Sequence, residues 1–208
     1  MNVIEALNWR YAVRKFSDHK LSDEEVKRLV DATLLSPTSY GLQPYRLFVI
    51  TDQELRRRLM ASSFGQEKVL HCSHLVVFAA QTVFGDELVD RYIESVAETR
   101  KIEIQALSGL AEHMKEVFRN KNARQKKEWA HQQAYIALGT LLTSAALMKI
   151  DSCPMGGIDA AAYDEALNLK ALNLETSMIS ALGIRDQKDE TAGMQKVRYD
   201  ESEMVVTI

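Results

Sequence analysis

Ser36-Pro-Thr-Ser-Tyr-Gly-Leu-Gln-Pro-Tyr45-Arg-Leu-Phe-Val-Ile50 joins the two kinds of local order on which the fold turns. Its second half, Tyr45 to Ile50, is aromatic and β-branched and predicts a strand. Its first half is a polar loop pinned between Pro37 and Pro44, with hydroxyls, an amide and the flexible Gly41. A loop rich in donors and held at both ends suits a site for a polar planar ligand. It suits a plain connecting turn equally well. Upstream, Ser22 and Glu25 form a capping box that opens a helix toward Leu35. Val26, Leu29, Val30, Thr33 and Leu34 make its apolar stripe, and Pro37 ends it. Downstream, Asp52 can cap a helix holding Leu55 and Leu59, and Leu75 to Gln81 reads as a second strand, apolar on both faces.

Farther out, Asn2 to Trp9 is a short helix candidate, and from Asp86 to about Met148 the chain is strongly helical. Gly109 and the charged stretch Arg119 to Lys127 interrupt that periodicity, so two long helices with a polar excursion between them are expected. The second, roughly Glu128 to Met148, carries Ala130, Ala134, Ala137, Gly139, Ala145 and Ala146 and can approach other helices closely, including those of another subunit. A loop from Asp151 to Gly157, a helix from Asp159 to about Leu167 and a strand around Thr176 to Leu182 follow. The end, Met204 to Ile208, is strand-like and needs an edge to pair with. Helices interleaved with a few strands, without repeats or linkers, predict an α+β layer fold in one domain over residues 1–208, with a helical excursion at about 86–127.

Composition narrows the function. With 208 residues, 46% of them apolar, the chain can bury a substantial core. A net charge of −3 gives no global field to attract nucleic acid. Cys72 and Cys153 lie far apart and outside any C-x-x-C pair, which reads as reduced thiols rather than a disulfide framework or zinc module. Charges at Glu5, Arg10, Arg14 and Lys15 leave no apolar core for a signal peptide. The richest apolar stretch, Ile136 to Met148, is broken by Gly139, Thr140, Thr143 and Ser144 and is shorter than the roughly 20 residues of a membrane span. A cytoplasmic protein with no membrane or nucleic-acid partner is expected. G-x-G-x-x-G, G-x-x-x-x-G-K, G-x-S-x-G and H-E-x-x-H are all absent. His71, Cys72 and His74 lack a fourth ligand, so no metal is expected.

Three further segments carry chemistry. Arg10-Tyr-Ala-Val-Arg14-Lys-Phe16 alternates as an extended strand does and can aim Arg10 and Arg14 into one site; positive charge at a helix C-terminus is the plainer reading. Cys153-Pro-Met-Gly-Gly157 offers backbone amides on a sterically open chain, or simply a helix-entry turn. Lys196 and Arg198, two residues apart, leave an extended segment on one side and can clamp one anion, or form a solvated basic face.

These four segments in this order resemble the FMN-dependent nitroreductase family over essentially the whole chain. The resemblance implies a mixed central sheet flanked by helices, in a homodimer whose C-terminal tails pair across subunits. It implies that FMN is bound by Arg10, Tyr11, Ala12, Arg14, Gln66, Lys68, Pro154, Met155, Gly156, Gly157, Lys196 and Arg198, and by Pro37, Thr38, Ser39, Gly41 and Gln43 of the other subunit. In that scheme Arg10, Lys196 and Arg198 grip the phosphate, Arg14 and Lys68 face the N1/O2 edge of the ring, Gln66 lies beside them, and the amides of Gly156 and Gly157 lie near N5. NADH or NADPH then gives hydride to the flavin, and a nitroaromatic, quinone or similar acceptor takes its place. No side chain is expected to act as a nucleophile.

The chain departs from the family pattern at Gly41 and Gly65, where many relatives have asparagine, at Gly156, where glutamate is common, and at Ala12, where serine is frequent. The lost side chains at 41 and 65 leave open an enzyme that uses reduced FMN itself as substrate or product. A non-catalytic binding protein using Arg119 to Lys127 as a basic patch is the remaining alternative.

Overall fold

The computed structural model describes residues 1–208. Tyr45–Ile50 (β1), His74–Gln81 (β2), Asp151–Met155 (β3) and Leu174–Gly183 (β4) form one sheet in the order β1-β2-β4-β3. Each neighbouring pair is antiparallel. The expected mixed character is confined to one parallel bridge, Ala12 to Ser152. Nine helices surround the sheet: Val3–Trp9 (α1), Asp23–Leu34 (α2), Gln53–Ala61 (α3), Lys68–His71 (α4), Asp86–Arg100 (α5), Ser108–Arg119 (α6), Ala123–Leu147 (α7), Ala160–Ala166 (α8) and Glu201–Met204 (α9).

The central strands are apolar on both faces because both faces are covered. Alternate residues of β2 enter different cores, as the two-residue period of a strand requires. Leu75 and Val77 join Leu59 of α3, Tyr163 of α8 and Val13 and Phe16 of the N-terminal segment. Val76 and Phe78 join Leu29 of α2 and Ala134, Ala137, Leu141 and Ala145 of α7. The alanines let α7 lie close against the sheet. A third cluster unites α5, α6 and the start of α7 around Phe84, Met114 and Phe118.

Two expectations need correction. Asp151 to Met155 is a strand, not a loop, and Pro154 is tolerated because β3 is an edge strand whose outer side carries only the bridge from Ala12 to Ser152. The long helical region holds three helices. It breaks at the left-handed Lys101, whereas Gly109 lies inside α6, and the charged residues 123–127 form the first turns of α7 behind an Asn122/Gln125 capping box. The C-terminal residues Val205 to Ile208 pair with no strand of the protomer and are exposed.

Candidate functional site

Residues 10–16 leave α1 as an extended segment that buries Val13 and Phe16 and turns Ala12 and Arg14 outward. Two devices hold it. Arg185 stacks its guanidinium over Trp9, 4.2 Å from the ring centroid, and over Tyr11 at 4.6 Å. The same group forks onto the buried Asp151, with Nη2 to Oδ1 at 2.6 Å and Nε to Oδ1 at 2.9 Å. The second device is Asp189, whose Oδ2 accepts from the amides of Arg14 (2.8 Å) and Lys15 (3.0 Å) and whose Oδ1 accepts from Thr191. Burial alone would raise the Asp189 carboxyl. The hydrogen bonds from the Thr191 hydroxyl and from the amides of Lys15, Arg14 and Thr191 outweigh it and hold the group at about 2.

Behind this anchor, Lys196 and Arg198 meet Arg10 in a concavity of about 470 Å³ that Tyr11, Ala12, Arg14 and Pro154 also line. No carboxylate forms an ion pair with any of the three cations. Burial, then the nearby Arg198, lowers the Arg10 pKa; burial, then Arg10 and Arg198, lowers that of Lys196. The Nε of Arg10 is buried without a partner. Lys196 donates to the carbonyls of Leu7 and Arg10, closing the C-terminal end of α1. Converging cations that lack a counter-charge, with one guanidinium N–H unsatisfied, make a receptor for a compact polyanion such as a phosphate.

A second concavity, about 320 Å³, adjoins the first through shared Ala12, Arg14 and Pro154 and is completed by Gln66, Lys68, Cys153, Met155, Gly156 and Gly157. Gln66 Nε2 donates to the Gly157 carbonyl at 3.1 Å, tying the turn after α3 to the turn after β3. No atom lies within 4 Å of where a side chain at Gly157 would begin, so the backbone is open to close approach. Burial raises the pKa of the Cys153 thiol even though Lys68, Arg14 and Arg10 all pull it down, which keeps it protonated beneath the cationic wall.

The structure therefore gathers the expected residues 10, 11, 12, 14, 66, 68, 154–157, 196 and 198 into two joined hollows. It does not bring Pro37, Thr38, Ser39, Gly41 or Gln43 to them. Gly41 and Gln43 instead line a separate groove of about 740 Å³ with Arg46, Arg91, Tyr92 and Arg100. That groove is the larger space, yet the uncompensated cations and open backbone lie elsewhere. The loop is strained, with left-handed φ at Tyr40 (56°), Gly41 (77°) and Gln43 (46°). The Gly41 amide closes it onto the Thr38 carbonyl at 2.9 Å, and the buried Gln133 of α7 accepts from the Ser39 amide at 2.8 Å. Sequence reasoning missed Gln133, Arg185 and Asp189. Gln133 alone left a signal, being a polar residue among the alanines of α7's buried face.

The fold is shared with solved nitroreductase structures. A Bacillus subtilis protein described as a putative nitroreductase superposes with a TM-score of 0.89 at 22% identity, covering 99% of this chain and 98% of its own. A putative nitroreductase of Exiguobacterium sibiricum, solved in complex with FMN, gives 0.87 at 19% identity, covering 100% and 98%. In sequence, a Staphylococcus saprophyticus protein named "Putative NAD(P)H nitroreductase" is 32% identical over 98% of this chain and 95% of its own length. The sequence pattern of the nitroreductase family matches residues 7–184. The chain belongs to the nitroreductase family.

Proposed function

We propose that this protein is an FMN-dependent NAD(P)H oxidoreductase that reduces electron-poor acceptors such as nitroaromatics and quinones. The observation that carries the reading is the trio Arg10, Lys196 and Arg198, uncompensated by any carboxylate, beside a hollow walled by Lys68, Arg14 and two open glycines. These residues fit FMN. The trio would hold the phosphate, Arg14 and Lys68 would stabilise negative charge on the ring's pyrimidine edge, and Gly156 and Gly157 would offer amides near N5. FMN, when bound, supplies reversible hydride chemistry that no side chain supplies. The residues position, neutralise charge and leave one face open. Donor and acceptor share that opening and bind in turn, which predicts parallel double-reciprocal plots.

We further read the protomer as half of a homodimer. The loop at 37–43 stands apart from the two hollows, as a segment lent to a second site does. The α1 residues Ile4 and Leu7 and the α7 residues Tyr135, Ile136 and Leu147 are exposed, and Val205 to Ile208 lacks a partner strand. No helix is long and apolar enough to cross a membrane. Both cysteines are free and buried, which supports a reducing, cytoplasmic setting.

The test is the absorption spectrum of the purified protein, bleached anaerobically with NADH and then NADPH and restored with a quinone. Colourless protein that binds no added FMN and leaves both nucleotides unoxidised ends the reading.

A further inference from the structure

The departure at Gly41 has a structural answer in Tyr92 of α5. A Cβ built on Gly41 would lie 2.6 Å from the Tyr92 Oη, 2.7 Å from Cε2 and 2.8 Å from Cζ. Real Cβ atoms do not approach that closely, so the phenol ring occupies the space that a side chain at position 41 would enter. Tyr92 is held from behind, because its neighbours Leu88, Val89 and Ile93 are buried in the cluster that also contains Leu42 of the same loop. The adjoining residue is gripped from the same side, where the Tyr40 ring meets His113 and Phe118 of α6 edge-on, both at 6.2 Å. On the other side Gln133 holds Ser39. The left-handed turn at residues 40–43 is thus clamped between α7 and the α5–α6 excursion.

We propose that Tyr92 is a positioning residue for the 37–43 loop, its ring from α5 filling the space beside Gly41 that a side chain at that position would enter, and so coupling the excursion to the flavin site. This rests on the reading that the loop contributes to an FMN site. The missing side chain then leaves neither a widened substrate space nor a loosened cofactor at this position, because the gap is closed from another part of the chain.

A double-mutant cycle on the full-length protein decides it. Asparagine tolerates a left-handed φ, so Gly41→Asn tests the collision with Tyr92 rather than the backbone. In the parent, Gly41→Asn raises the FMN Kd by about tenfold or more. In the Tyr92→Ala background the same change alters the Kd by no more than about twofold. Tyr92→Phe, which keeps the ring, binds FMN as the parent does. Tyr92→Ala alone raises the acceptor KM while kcat at saturating acceptor is held. Melting of the four apoproteins repeats the cycle without cofactor, and there too the Gly41→Asn cost shrinks when the ring is gone. An equal cost of Gly41→Asn in both backgrounds overturns the proposal. A parent that binds no FMN removes the functional reading instead, and is told apart because the apoprotein cycle still shows the coupling.

Discussion

The backbone amide of Arg14 donates to the carboxylate of Asp189 at 2.8 Å, fastening the segment that carries Arg10 and Arg14 to the one that leads into Lys196 and Arg198. The two halves of the cation cluster are therefore tied to one buried acid, which accepts from four donors.

That acid makes stability depend on pH in a defined direction. Asp189 sits at about 2 when folded, against the ordinary 3.8, so the unfolded chain takes up the proton more readily. The stabilisation is complete above pH ~4 and is lost as the pH falls toward ~2, a span worth roughly 2 kcal/mol. Asp189→Asn removes this dependence and lowers stability at neutral pH by a similar amount. Urea titrations between pH 2 and 7 measure both, and acid profiles that coincide for the two proteins contradict the assignment.

Arg185 satisfies Asp151 and fills the gap between two aromatic rings, so it is replaced poorly. Arg185→Met strands a carboxylate that is 3% exposed and costs roughly 3–5 kcal/mol. Arg185→Lys restores charge without the fork or the stacking and recovers only part of it. Thermal melts rank the three proteins; a lysine variant as stable as the parent would show that charge alone matters.

Gln133→Leu removes the acceptor for the Ser39 amide and costs about 1–3 kcal/mol. Gln133→Glu keeps an acceptor and costs less. Hydrogen exchange at Ser39 gives the local answer, with faster exchange expected in the leucine variant alone.

Arg198→Ala separates the phosphate from the ring. It raises the FMN Kd by roughly tenfold to a hundredfold, the worth of a charge-assisted hydrogen bond, and leaves riboflavin, which has no phosphate, bound as before. Calorimetry with both ligands checks this. Equal losses for the two would move Arg198 out of the phosphate site.

Much of this was legible in the sequence because the signals were local. The Ser22/Glu25 box, the Asp52 cap, the helix opening at Asp159 and the runs at 45–50 and 75–81 appear where neighbouring residues dictate them. β3 was hidden because Pro154 and two glycines imitate a turn, and only its edge position makes a strand tolerable there. The start of α7 was hidden because charges at Arg124, Lys126 and Lys127 break the apolar period where the helix faces solvent. At the site, the basic residues and glycines could be picked out by type and order. Asp189, Arg185 and Tyr92 could not, since each acts across a distance in sequence that no window spans.

Arg198 is made long after Arg10, and at about 5–20 residues per second a ribosome takes roughly 10–40 s to deliver the second after the first. Until then Arg10 has no companion cations, and α1 lacks the lysine that closes its end. A chain that has not yet added Lys196 and Arg198 thus cannot bring the three cations together, whatever the state of its sheet.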